Sequence, residues 1–453
     1  MILILAACSG SPAPAGRVFY VSPEGDNSNP GTREQPWATP GYGSRQLAPG
    51  DTLVILGGTY HLSVYDEDII TPPSGTQNAW ITIRGERGKR PVLAGSENLL
   101  AAVDLSGKSY IRLENLEITS DRGAWFREGI NATGGPLAHA VFKDLYIHHI
   151  DEFGIDIGDA KDLQIINCQI THCGFGAIGG PAGEHGGWRD VLIKDCELSW
   201  SGHYYQGGDG PGPYDRPDGF GIEASDGPVE IANTKAEHNY GDGIDSKALN
   251  TYIHECIVAN NSCDGIKLWG GGSRAINCLI YGRGDGNHSP TPWSPIVISA
   301  EGGGSFQLIN ITVDDSIGEN YIMHVQYDYP DVPVNLTIRN AIFSSRGQNA
   351  PIFVAGSTNL SLEYCLFYMP QSEHVLDWGN QSYDSSQVGG IGPGNRYGDP
   401  RFISTGFGAD GNYHLLSGSP AIDAGTPRDA PGVDLDGRPR PQGSGFDMGS
   451  YER

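Results

Sequence analysis

Along most of the chain, apolar and polar residues alternate in runs of about four to eight, the period of a strand with one buried face. One phrase recurs: "YIRLENLEI", "AVFKDLYI", "LQIINCQI", "VLIKDCEL", "VEIANTKA", "TYIHECIV", "SRAINCLI", "FQLINITV", "LTIRNAIF", "LSLEYCLF". In each, an alternating strand meets a polar residue, then a small or apolar one, then a second short strand. The polar column runs Asn115, Asp144, Asn167, Asp195, Asn233, Glu255, Asn277, Asn310, Asn340, Tyr364. Its cleanest intervals are 22 residues, Asn233 to Glu255 to Asn277, and the longest is 38, Asp195 to Asn233. A period near 22 with two or three short strands per turn predicts an all-β chain, a right-handed parallel β-helix of about ten or more coils. Cys168, Cys196, Cys256, Cys278 and Cys365 share one column of the repeat, which reads as a stack of small apolar residues inside the solenoid.

Composition agrees. The 66 glycines among 453 residues suit a chain of tight turns, and only 18% of residues are charged. A formal charge of −25 excludes general nucleic-acid binding, which needs a basic face. Seven cysteines beyond Cys8, without a CxxC pair, argue against zinc, while Cys168–Cys173 and Cys256–Cys263 disulfides stay open. "MILILAACSGSPAPAG" reads as a lipoprotein-type signal and spacer over 1–16, predicting export and membrane anchoring through a lipidated Cys8. Residues 17–100 are expected to form an N-terminal cap and first coils, 101–396 the β-helix, and 397–453 a C-terminal cap, with Asp434 and Asp436 in a capping role. A monomer is expected.

Candidate chemistry sits where the repeat says nearly the same thing three times, "GFGIEAS", "GDGIDSK" and "CDGIKLW". Glu223, Asp245 and Lys267 are spaced by 22 residues, so the spacing predicts one outward column on three consecutive coils, with Asp218 and Asp242 beside it. A solvated charge ladder is the plain alternative. Clustered acids repel without a cation, however, and hard oxygen ligands on a rigid scaffold suit Ca²⁺. Long insertions flank these coils, "HYYQGGDGPGPYDRP" and "GRGDGNHSPTPWS", as expected of a binding cleft. Tyr204, Tyr205, Trp269 and Trp293 are its candidate sugar-stacking surfaces.

The stretch "DGFGIEA … NYGDGIDSK … DGIKLWGGG" resembles the core of family-nine polysaccharide lyases, calcium-dependent pectate lyases built on a parallel β-helix. The resemblance covers roughly Asp218–Gly272. It implies Asp218, Asp242 and Asp245 as Ca²⁺ ligands and Lys267 as the base that abstracts a proton from an acidic polysaccharide. The family's cluster begins with adjacent acids, and here the first position is Gly241, leaving Glu223 to compensate. Glu223 and Arg274 are assigned to substrate, with Arg283 assisting. Calcium would also provide the local positive potential that a polyanion needs against so acidic a chain. Replacing Lys267 with Ala is expected to abolish turnover and leave folding and calcium affinity nearly unchanged. A glycoside hydrolase using Asp242 and Asp245, a uronate epimerase, and a non-catalytic glycan-binding β-helix are the alternatives.

Overall fold

In the computed structural model, which describes residues 16–96, 99–120, 126–282, 294–315, 321–347 and 351–453, the alternating runs stack rung upon rung. They form three long sheets. The first has 13 strands, from Val18–Val21 to Asn359–Glu363; the second has 13, from Thr59–Leu62 to Arg396–Tyr397. The third has 12, from Leu99–Asp104 to Gln381–Tyr383, and within it only the last pair is antiparallel. The chain is a right-handed parallel β-helix. Inward residues of all three sheets form one continuous apolar core along the axis.

The polar column of the repeat is the corner between the first and second sheets. All ten of its residues have φ between 44° and 58°, the left-handed region in which one residue turns the chain sharply. Asn and Asp pay least for that conformation among residues with a Cβ, which explains their dominance. The backbone stays paired through the corner: Asn115 N–H donates to the Lys143 carbonyl at 3.0 Å, and Asn310 N–H to Arg339 at 2.9 Å. Side chains add a ladder, with Asn340 Nδ2 donating to Asn310 Oδ1 at 3.1 Å. A second left-handed column, His149, His172, Trp200 and His238, turns the second sheet into the third, and its rings stack upon one another. The alternation pattern alone did not reveal this column.

All seven described cysteines are free and buried, so neither candidate disulfide is formed. The column reading is the correct one: Cys168, Cys196, Cys256, Cys278 and Cys365 lie in the core, where burial pushes the Cys365 thiol up to about 12.

The two ends differ. A short helix, Pro40–Arg45, packs beside the first strands, with Trp37 and Leu47 joining the core. The C-terminal segment, expected to cap the open end, instead runs back along the flank. The Asn310 side chain donates to the Asp447 and Gly449 carbonyls, Asn340 donates to Thr426, and Arg440 donates to Asn277 Oδ1 at 3.0 Å. The segment thereby satisfies the polar corner that later coils would otherwise expose. Asp434 folds this segment on itself, accepting from the Arg438 and Glu452 N–H groups at 2.8 and 3.0 Å. Cys8 lies outside the described residues.

Candidate active site

Register decides which side chains meet. Asp245 pairs with Lys267 across two neighbouring strands of the third sheet, Ile244–Ala248 and Ile266–Leu268. On the preceding strand, Asp218–Ser225, Asp245 pairs with Gly221 and not with Glu223, because that coil is two residues longer than the 22-residue spacing assumes. Glu223 is therefore carried past the column, where its carboxylate reaches Lys247 Nζ at 2.5 Å with half its side chain exposed. Arg274 is farther away still. It belongs to the first sheet, with its guanidinium 3.9 Å above the Tyr252 ring, so the structure does not bring it to Lys267. Arg283 and Trp293 lie outside the described residues.

The remaining predicted residues do converge. Oxygens of Asp218, Asp242 and Asp245 lie within 4.8 Å of one another. A second column explains how. Asp218, Asp242 and Asp264 stand at the turn preceding or opening three successive strands, and each carboxylate accepts a backbone N–H from the next coil. Asp218 Oδ1 accepts from Asp242 N–H at 2.6 Å, Asp242 Oδ1 from Asp264 N–H at 2.8 Å, and Asp264 Oδ1 from Ser294 N–H at 2.8 Å. The backbone thus fixes one oxygen of each acid and leaves the other to face the column. Asp264 is not among the residues the sequence pattern singles out, although it follows Asp242 by the same 22 residues in the repeated phrase.

Lys267 is a buried amine, only 5% exposed, with Nζ 3.2 Å from Asp264 Oδ2 and 3.7 Å from Asp242 Oδ2. Asp245 is held from its other side by Trp269, whose Nε1–H donates to Oδ1 at 2.7 Å. Trp269 also lies beneath both Lys247 and Lys267, with their Nζ atoms 5.7 and 5.3 Å from its ring. Tyr204 is buried against His149, and Tyr205 stacks on Phe175. The groove itself, about 420 Å³, is lined instead by Phe153, Phe175 and Tyr214 together with Asp156, Asp218 and Asp245.

Charge in this cleft is finely opposed. Burial, reinforced by the Asp242 charge, pushes Asp245 up to about 7 and Asp264 up to about 8. Asp218 is raised by burial and by both Asp242 and Asp245. Burial pulls Lys267 down, but Asp242, Asp264 and Asp245 together outweigh it and hold the amine above its ordinary value.

Three convergent carboxylates carry more negative charge than one ammonium offsets. Oxygens sharing one calcium at about 2.3–2.6 Å lie no more than about 5 Å apart, a condition the triad satisfies. Asp218, Asp242 and Asp245 therefore fit a hard cation. Gly241 belongs to the same geometry: a Cβ there would lie 2.3 Å from Asp218 Oδ1 and within 2.8 Å of the 216–217 backbone. With Asp218 in this position, no acid fits beside Asp242.

Fold and cleft together describe a β-helix whose outward column carries acids and a lysine. The family model described as "Pel9A-like, right handed beta helix region" matches residues 19–177, which end before Asp218. A curated relative, the uncharacterized protein YwoF of Bacillus subtilis (strain 168), is 30% identical over 146 residues, and the match spans 30% of each chain. The crystal structure of pectate lyase Pel9A superposes with a TM-score of 0.56 at 16% identity, covering 97% of both chains. XylC in complex with xylose gives 0.57 at 10% identity over 96% of this chain and 99% of that one. The A-module of the Azotobacter vinelandii mannuronan C-5 epimerase AlgE4 gives 0.52 at 14% identity, covering 77% and 89%. At these identities the likeness is one of fold, and the chemistry has to be argued from the cleft.

Proposed function

We propose that the chain is a carbohydrate-active β-helix enzyme that cleaves a uronate polysaccharide, pectate foremost, by cation-assisted β-elimination with Lys267 as base. The observation carrying this reading is the placement of Lys267 Nζ between Asp242 and Asp264, beside a carboxylate triad, on a grooved outer face. Asp218, Asp242 and Asp245 would hold Ca²⁺, which when bound supplies positive charge toward the substrate carboxylate and the charge developing next to it. Lys267 in its neutral form takes the C5 proton. The C5–H electron pair becomes the C4–C5 double bond, the C4–O bond breaks, and the departing oxygen is protonated from solvent. Burial favours the neutral amine, whereas the acids favour the charged one, so the balance between them sets the working pH. Asp264 positions Nζ, and Trp269 fixes the Asp245 carboxylate.

Export and anchoring through Cys8, and action as a monomer, complete the proposal, since a polymeric substrate is met outside the cell. Hydrolysis is the second reading. Asp245 lines the groove and, pushed up to about 7, holds a proton near neutrality as a general acid must. Product analysis separates the two. Elimination leaves an ultraviolet-absorbing unsaturated uronide on the new non-reducing end, and hydrolysis leaves new reducing ends without it.

A further inference from the structure

Four rungs of the third sheet, on the N-terminal side of Lys267, carry an outward column that reads Asp156, Gly179, Gly221, Asp245. Two successive glycines leave a gap between the acids, and large groups fold into it. The Phe153 ring lies over Gly176 and Gly179, where added Cβ atoms would approach it to 2.9 and 2.7 Å. One face of the ring is thus seated on backbone. Phe175 and Tyr214, stacked on each other at 5.0 Å, meet Phe153 edge-on at 5.9 and 6.0 Å and hold it in place. Asp156 closes the far end of the groove, about 14 Å from Asp245 at three rungs of about 4.8 Å.

The two ends of this groove differ in charge. Near Asp245 the acids are accompanied by Lys247 and Arg216. At the Asp156 end stand Glu128, 4% exposed, and Glu152, whose charge already engages Arg127 through two contacts at 2.9 and 3.0 Å. Asp156 Oδ1 is buried and has no hydrogen-bond partner among the described residues. A seated aromatic ring beside a carboxylate that lines the groove is an arrangement that binds a sugar: stacking for its C–H face, the carboxylate for its hydroxyls. A carboxylate at this position would instead meet the Asp156 carboxylate.

We propose that this groove is a subsite for a carboxylate-free sugar residue, recognised by Phe153 and Asp156, so that the preferred polymer mixes neutral or esterified residues with uronates. The proposal rests on the polysaccharide reading of the site and narrows its substrate class. Asp156 acts as a specificity residue and takes no part in proton transfer.

The test is titration calorimetry on the full chain with three oligosaccharides of equal length: oligogalacturonate, its methyl-esterified form, and alternating rhamnose–galacturonate. Each is also assayed for unsaturated ends. The expected result is at least tenfold tighter binding of a carboxylate-interrupted oligomer than of oligogalacturonate. The esterified and alternating arms show which source of neutrality fits. Asp156→Asn and Phe153→Leu should each shrink that preference by tenfold or more, in variants whose far-ultraviolet circular dichroism shows the β-helix still folded. Asp156-dependent preference without unsaturated ends would uphold the subsite and sink the lyase reading. Unsaturated ends formed with equal or greater affinity for oligogalacturonate, or a preference unmoved by Asp156→Asn, would overturn the subsite and leave the lyase reading intact. Failure to bind any of the three would overturn it as well.

Discussion

Removing the Lys267 amine should do more than stop catalysis. In Lys267→Met, a side chain of similar length fills the space, but Asp264, fully buried, and Asp242, 2% exposed, lose their shared partner. At the observed 3.2 and 3.7 Å, each contact represents roughly 5 kcal/mol of gross attraction at an effective dielectric of about 20. Desolvation cancels part of this, and truncating one member of a buried pair typically costs about 3–5 kcal/mol. The cost must depend on pH. With the amine gone, Asp242 and Asp264 keep their protons to higher pH, so the folded variant binds more protons than the unfolded chain across a wider range, and its stability falls more steeply as pH rises. Urea unfolding followed by tryptophan fluorescence, in chelator, should show a loss of about 3–5 kcal/mol near pH 8 that shrinks toward about 1 kcal/mol near pH 5. Calcium should restore the variant more than it stabilises the parent, because Lys267 no longer competes for Asp242. A loss below about 1 kcal/mol at both pH values would show that the amine is not the counter-charge of these acids, and the site geometry would need redrawing.

Other consequences are equally open to measurement. In chelator, the parent protein should lose stability as pH rises from about 4 through about 8. Asp245 and Asp264, ordinarily at 3.8, titrate near 7 and 8 in the folded chain and resist ionising there. For Asp245 alone the effect is on the order of 4 kcal/mol at most, and melting curves should flatten with pH once calcium is added. Asp264→Asn removes one of the acids that hold Lys267 protonated, so the acidic limb of the kcat profile should move to lower pH with KM little changed; a limb that stays put would free Asp264 of its positioning role. Gly241→Ala should cost about 1–3 kcal/mol and weaken calcium binding, read by calorimetry, because its methyl would press on Asp218 Oδ1.

Much of this architecture was legible from residue order. The polar column marked a real corner because left-handed backbone favours Asn and Asp, and it repeats on ten successive coils. The cysteine column was legible for a similar reason, since a small apolar residue recurs at one inward position. The site was only partly legible. Equal spacing placed Asp245 against Lys267 correctly, but it misplaced Glu223, because two extra residues fall between Ile222 and Val229, one of them a bulge within the strand, and spacing alone does not locate them. Arg274 was assigned by sequence proximity to Lys267, yet a few residues on a β-helix suffice to turn onto another sheet. Phe153, Phe175 and Asp156 come from coils before the repeated phrase, and only stacking along the axis brings them beside it. The docking of the C-terminal segment along the flank was not legible, because its partners, Asn277, Asn310 and Asn340, lie more than 80 residues earlier.

The central claim is that Lys267 and the Asp218, Asp242 and Asp245 triad perform elimination on a uronate polymer. The most direct measurement is ultraviolet absorbance of the protein with polygalacturonate, with and without chelator, run in parallel on Lys267→Met. The account predicts a calcium-dependent rise from the conjugated unsaturated uronide, abolished by chelator and by Lys267→Met under conditions where the variant remains folded. A rise of equal rate in Lys267→Met, or new reducing ends with no rise in absorbance, would contradict it.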